Sequence, residues 1–282
     1  MKWISFDVFR TLGFADTLQL KPDQVFQNRS AIEQADWVLF PEYWQLNALT
    51  YACKARIFPS EASYRLGHNK IEMTRAFELV APAHTPHTRI LANTPENADL
   101  LWDEMCLPFV AKLPKASMGD GVWLIETRDE WRAYQAKTDV LYVQEYLPID
   151  RDVRVVIVGH EVLGAYWRLQ SDRGFYNNVS KGGRVDYSDV PECAVQLALT
   201  LARELNIDHA GFDIAIVEGH PYVIEFNRLF GNQGVEGGSQ RIREAIIEHL
   251  YRYSSTDPFL PPAVHVNATS PKKASRKQEH VA

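Results

Sequence analysis

Cysteine is scarce in this sequence. The 282 residues include three, Cys53, Cys106 and Cys193, far apart and odd in number. That excludes a disulfide framework or a zinc knuckle and predicts reduced, mostly buried thiols. No apolar run approaches the length of a membrane span. The opening residues, from Met1 to Asp7, lack the long apolar stretch and small-residue cleavage site of a signal peptide, so a cytoplasmic location is expected. An excess of basic charge is missing too. The formal net charge is −6, which argues against a nucleic-acid partner. No glycine-lysine-serine/threonine ending occurs, excluding a P-loop, and no glycine-rich turn follows the first apolar segment, which argues against a nicotinamide site. No Ser-His-Asp ordering or activated cysteine marks a covalent nucleophile.

What is present is an ordinary globular composition, with 46% hydrophobic and 23% charged residues. The length suits one multi-lobed unit or two to three small domains. Short apolar segments at 3–8, 37–40 and 56–58, with helical spacing over 43–55, predict a small parallel sheet. Helices are expected at 63–80 and at 96–106, the latter after Thr94-Pro95. From Phe109 the pattern becomes antiparallel: strands at 109–113 and 122–126, a helix at 129–136 begun by Thr127, and a strand at 140–147. Two hairpins follow, 153–158 with 162–169 and 210–217 with 222–226, turning at Gly159-His160 and at residues 218–221. Amphipathic helices are expected at 194–205 and 239–253. The end of the chain is polar and is read as disordered.

The second hairpin carries the clearest chemistry. Glu225 and Asn227 lie two apart on one strand and so share a face. Asp213 on the partner strand can reach that face. Two carboxylates and an amide are hard oxygen donors of the kind magnesium takes. They could instead form a solvent face, but their neighbours Ile214, Ile216, Val223, Ile224 and Phe226 are apolar, and bare buried charge is costly, which favours the metal site. The loop after Lys112 is rich in small residues whose backbone amides could approach phosphate, although taken alone it reads as a hairpin turn. Arg154 and Arg168 sit in apolar strands, either as edge residues or as clamps on phosphate or carboxylate.

The order of these features resembles the ATP-grasp superfamily and, within it, the RimK-like amino-acid (glutamate) ligases. The resemblance covers roughly residues 65–255. It rests on residues 144–154, with Gln144-Glu145-Tyr146-Leu147 and Asp152-Val153-Arg154, on the loop at 175–183, and on Asp213 with Glu225-x-Asn227. It implies an α+β chain with the ATP-grasp fold: an α/β lobe at 1–66, a central lobe at 67–143, a C-terminal lobe at 144–260 and a disordered tail at 261–282. ATP would lie between two antiparallel-sheet lobes. Lys70 and Lys112 would meet its phosphates, and Ser117, Gly119 and Gly121 would belong to the loop closing over them. Gln144, Glu145, Tyr146 and Leu147 would read the adenine, with Asp152 near the ribose. Arg154, Arg168, Lys181 and Asn178 would face the γ-phosphate or acyl phosphate. Asp213, Glu225 and Asn227 would hold magnesium, with manganese as an alternative.

The implied reaction is ATP-dependent joining of a carboxylate to an amine through an acyl phosphate, adding an amino acid to a small molecule, peptide or protein. Alternatives are an ATP-grasp phosphotransferase and a nucleotide-binding module without turnover. The family also suggests a homo-oligomer. Three departures stand out. Asp120 places negative charge in the phosphate loop, Tyr176-Asn177 replaces a usual arginine-serine pair, and Arg228-Leu229-Phe230-Gly231-Asn232 replaces small residues beyond the metal asparagine.

Overall fold

A computed structural model describes residues 1–115, 121–169 and 184–254. The first lobe contains a parallel sheet, as expected. Strands β1 (Trp3–Ser5), β2 (Thr17–Gln19), β3 (Trp37–Leu39) and β4 (Ile57–Phe58) lie in the order β2-β1-β3-β4. Ile4, Val38 and Ile57 of this sheet pack with Ile32 of helix α1 (Arg29–Glu33) and with Leu46, Leu49 and Tyr64. The helix expected over 43–55 is two separate turns, Tyr43–Gln45 and Ala48–Ala52. Trp, Asn, Thr and Tyr crowd this stretch, and all are weak helix formers.

The helix expected over 63–80 is broken into α2 (Glu61–Leu66) and α3 (Lys70–Val80). Gly67 interrupts the pattern, and Asn69 then caps α3 by accepting a hydrogen bond from the Ile71 amide at 2.9 Å. The break makes Lys70 the first residue of a new helix, and its amide donates to Pro114 O at 3.0 Å. The fold therefore brings the start of α3 beside the end of the strand that carries Lys112.

The central lobe comprises β5 (Thr88–Ala92), α4 (Pro95–Glu104), β6 (Phe109–Lys112), β7 (Val122–Ile125), α5 (Arg128–Gln135) and β8 (Val140–Glu145). Its antiparallel sheet runs β5-β8-β6-β7. Thr127 begins α5 with a capping box: its hydroxyl accepts from the Glu130 amide, and Glu130 accepts from the Thr127 amide at 2.9 Å. Trp131 and Tyr134 are buried against Phe109, Ile125 and Leu101.

The third lobe has β9 (Arg151–Val158), β10 (Glu161–Leu169), β11 (Arg184–Asp186), α6 (Glu192–Glu204), β12 (His209–Val217), β13 (His220–Asn227) and α7 (Gly238–Tyr253). The sheet order is β11-β10-β9-β12-β13, antiparallel throughout. Strand alternation divides its two faces. Val153, Val155 and Ile157 join Phe212, Ile214 and the α6 residues Ala194, Ala198 and Leu201 in one core. Val156 and Val158 face the other way, onto α7 and the first lobe through Ile246, Leu250, Trp37 and Phe58. Asp152 and Arg154 share the parity of Val156, so this second face is apolar at one end and charged at the other. Helix α3 links the lobes: Thr74 bonds the Tyr142 hydroxyl at 2.7 Å, and Met73 and Phe77 pack in the third lobe's core.

Among the described residues no helix is long and apolar enough to cross a membrane. Cys106 and Cys193 are exposed and Cys53 is half-buried, against the expectation of mostly buried thiols. The two exposed cysteines follow a helix end and start a helix respectively, outside the lobe cores.

Candidate active site

Four charged residues on the sheet of the third lobe form a single buried network. Arg154 on β9 pairs in register with Asp213 on β12, and Asp213 in turn with Glu225 on β13. Arg154 donates to both oxygens of Asp213, at 2.6 and 3.2 Å. Arg168, the cross-strand partner of Asp152, donates to it twice, at 2.7 and 2.8 Å, and also reaches Asp213 at 2.9 Å. All four side chains are buried. Two cations thus offset two anions, as removal from water demands. Burial works against the charge on Arg168, but Asp213 and Asp152 hold it protonated more firmly than usual. The sequence left the arginines as edge residues or clamps; each is committed to aspartate in bidentate geometry.

A glycine makes room for this network. A Cβ on Gly211 would stand 2.9 Å from the Arg154 guanidinium, 3.0 Å from its Cδ and 3.0 Å from Phe230. Arg154 therefore lies across the bare backbone of Gly211 on its way to Asp213.

The expected metal ligands meet along β12 and β13. Asp213 faces Glu225 and Gly211 faces Asn227 in the register. Asn227 donates to Glu225 at 3.3 Å. Among the described residues no cluster of three or more His, Cys, Asp or Glu is arranged to hold a metal, so the expected set stands on two carboxylates and an amide. Their chemistry fits magnesium: the donors are hard oxygens, few in number, and the ion keeps its other positions for phosphate and water. The described contacts of Asp213 use three of about four acceptor directions on its carboxylate. Among the described contacts, one direction is left for an ion.

Two lysines complete the site. Lys70, at the start of α3, lies 3.4 Å from Glu225. Lys112, at the end of β6, is buried and donates to Gln144 at 2.6 Å. Gln144 donates in turn to Thr88 at 2.8 Å. Burial pushes the Lys112 amine down to about 8, with Glu225 opposing the shift and Lys70 adding to it. Lys112 therefore feels both members of the Lys70–Glu225 pair across the gap between two lobes.

Glu145 ends β8; its amide donates to His87 O at 2.9 Å and its carboxylate accepts from the His87 amide at 2.7 Å. Tyr146 and Leu147 begin the segment that carries the chain from the central sheet to the third. Asp152, expected beside the ribose, is buried and holds Arg168. Gly121 has φ 135° and its carbonyl accepts from the Leu113 amide at 2.7 Å, where β7 begins. Ser117, Gly119, Asn178 and Lys181 lie outside the described residues, as does the polar tail. Sequence reading overlooked Gly211 and noted Arg228 only within the 228–232 departure, as a change to the acceptor pocket. Gly211 lies opposite Asn227, which a register argument could have used. Arg228 immediately follows the Glu-x-Asn motif.

A family model described as a RimK-like ATP-grasp domain matches residues 70–250. The chain is 34% identical over 157 residues to a probable alpha-L-glutamate ligase of Enterobacter sp. (strain 638), covering 54% of this chain and 52% of that protein. It is 33% identical over 157 residues, with the same coverage, to a ribosomal protein bS6--L-glutamate ligase of Escherichia fergusonii. The chain spans about half the length of these curated relatives. Among solved structures it is similar to a RimK domain protein ATP-grasp from Sphaerobacter thermophilus DSM 20745, with a TM-score of 0.67 at 16% identity, over 88% of this chain and 99% of that one.

Proposed function

The chain belongs to the RimK-like ATP-grasp family, and from that premise we propose that it joins a carboxylate to an amine at the expense of ATP. The observation that carries this reading is the convergence of Lys70, Lys112, Glu225 and the Arg154–Asp213–Arg168 network at one place between two sheets. It gathers fixed positive charge beside hard oxygen donors, which is what phosphoryl transfer needs.

In the proposed reaction a carboxylate oxygen takes the γ-phosphoryl group of ATP and ADP leaves. The amine then attacks the acyl carbon, phosphate departs and the amine loses a proton. Lys112 and Lys70 bind phosphate oxygens. Arg154 and Arg168 neutralise charge that develops during transfer, and Asp152 orients Arg168. Asp213, Glu225 and Asn227 would hold magnesium, which supplies a Lewis acid for the phosphate oxygens when bound. Residues 144–147 line the connection between sheets, a position suited to the adenine. The acceptor class is an amino acid, peptide or protein end, supported by a relative named for a ribosomal protein.

The test is a screen of amino acids, small acids and short peptides for ADP release, with mass spectrometry of the product. ADP release that requires both an amine and a carboxylate is expected. Glu225→Gln is expected to lower that turnover by at least about 100-fold while leaving the circular-dichroism spectrum unchanged. Release supported by a hydroxyl compound alone would point to phosphotransfer, and near-native turnover in Glu225→Gln would remove it from the metal site.

A further inference from the structure

Arg228 sits one residue beyond Asn227, where β13 ends. Its guanidinium carbon lies 4.1 Å from the centre of the Tyr64 ring, on α2. Tyr64 is fully buried, and its hydroxyl is committed to Pro41 O at 2.6 Å. The ring is therefore a fixed platform, and a guanidinium stacked on it has a defined orientation. Gly67 packs against the same segment, since a Cβ there would touch Phe226 at 3.2 Å and the Arg228 Cβ at 3.5 Å. The Arg228 carbonyl is also fixed, taking the His209 ring nitrogen at 2.6 Å.

Among the described residues no carboxylate forms a salt bridge with the Arg228 guanidinium, whereas Arg154 and Arg168 are both paired. The charge of Arg10 acts on it as well, and Arg10 is itself held by Asp7 at 3.2 Å. Burial, then repulsion from Arg10, make it easier to deprotonate than usual, with Tyr64 and exposed Glu42 only partly opposing. A half-buried cation held by a neutral tyrosine, with no carboxylate at salt-bridge distance among the described residues, is an unfavourable element for a fold to keep for stability alone. Its position is also specific. Three residues of chain separate Arg228 from Glu225, so their Cα atoms lie at most about 11 Å apart, within the dimensions of a small substrate.

We propose that Arg228, mounted on the Tyr64 ring, binds a substrate carboxylate that is not the one activated by ATP, and so selects anionic substrates. The inference rests on the ligase reading above. The carboxylate belongs either to the amine donor, as the α-carboxylate of an amino acid, or to the acceptor.

The test is equilibrium binding to the full chain saturated with magnesium and a non-hydrolysable ATP analogue. One arm compares L-glutamate with its α-amide; the other compares an alanyl-glutamate dipeptide with its C-terminal amide. The wild type is expected to prefer the carboxylate over the amide by about 10- to 100-fold in one arm. Arg228→Gln is expected to abolish that preference while leaving affinity for the amide within about twofold, and Arg228→Lys to keep part of it. The arm that responds identifies the source. A preference unchanged in Arg228→Gln, or no preference in either arm of the wild type, overturns the proposal. Nucleotide-analogue binding is measured in the same samples; its absence from the wild type would count against the ligase reading itself.

Discussion

In the proposed reaction Lys112 would tie nucleotide binding to pH. It reaches the site from a sheet other than the one that carries Glu225, and burial lowers its amine to about 8. Below that pH it is charged, as the proposed contact with phosphate requires; above it, the charge is lost. Phosphate binding to the charged form favours protonation, so nucleotide affinity and proton uptake are linked. The dissociation constant for ATP is expected to rise as pH increases above 8, approaching about tenfold per unit. Lys112→Arg should flatten that profile, because guanidinium keeps its proton throughout this range. Isothermal titration at pH 7 to 10 measures both, and a wild-type profile as flat as that of the variant would show that the lysine charge does not govern binding.

At the level of strands and helices, the site depends on register across β9, β12 and β13. Gly211 is the point where that register is most sensitive, because Arg154 crosses it to reach Asp213. Gly211→Ala is expected to push Arg154 off Asp213, leaving a buried aspartate with one partner fewer. Turnover should fall by about 10- to 100-fold, with nucleotide affinity falling less. Steady-state kinetics alongside nucleotide binding check this, and unchanged turnover would mean that the arginine tolerates the methyl group.

The same register explains what could be read beforehand. The hairpins at 153–169 and 210–226 were legible because apolar runs meet at turn residues, and Glu225 and Asn227 were legible as neighbours because strand parity puts i and i+2 on one face. The ion pairs were not legible, since whether Arg154 meets Asp213 depends on pairing between strands almost 60 residues apart. Strands β2 and β11 were missed: each has three residues and forms a sheet edge, too short for alternation to show. The split between α2 and α3 was missed because apolar spacing continues across Gly67, and only the cap at Asn69 reveals it.

Across the whole molecule, the first and third lobes are joined through a group of buried histidines. His209 stacks on Phe230 and meets Phe40 and Phe58 edge-on, while His249 packs against Trp37 and Phe58. Asp208 accepts from the Ser60 amide at 2.7 Å and the Ser63 hydroxyl at 3.1 Å, anchoring α2 to the start of β12. Burial pushes both imidazoles down to about 3 and the Asp208 carboxyl up to about 6. The 3.7 Å approach of His249 to Asp208 is therefore not an ion pair near neutral pH. In the unfolded chain the imidazoles take protons near 6.5 that the folded form refuses, so their contribution is complete above that pH and is lost as pH falls toward 3. Asp208 acts oppositely, favouring the fold between about 6 and 3.8. Counted together, two losses and one gain predict about 2 kcal/mol of destabilisation between pH 6.5 and 5. Urea unfolding across that interval measures it, and a constant midpoint would show that these histidines are protonated in the fold.

The parallel first sheet and the two antiparallel sheets were legible in outline from runs of short apolar segments. The contacts between lobes were not, because they join residues such as Trp37 and His249 that no local pattern relates. Ligation through an acyl phosphate requires a carboxylate oxygen to become bonded to phosphorus. Its most direct measurement uses the carboxylate substrate identified in the screen, labelled with oxygen-18 in both oxygens, incubated with ATP, magnesium and the amine. Released phosphate is expected to carry one labelled oxygen, left on it when the amine displaces phosphate from the acyl group. Phosphate free of label, formed alongside the amide product, would contradict the account.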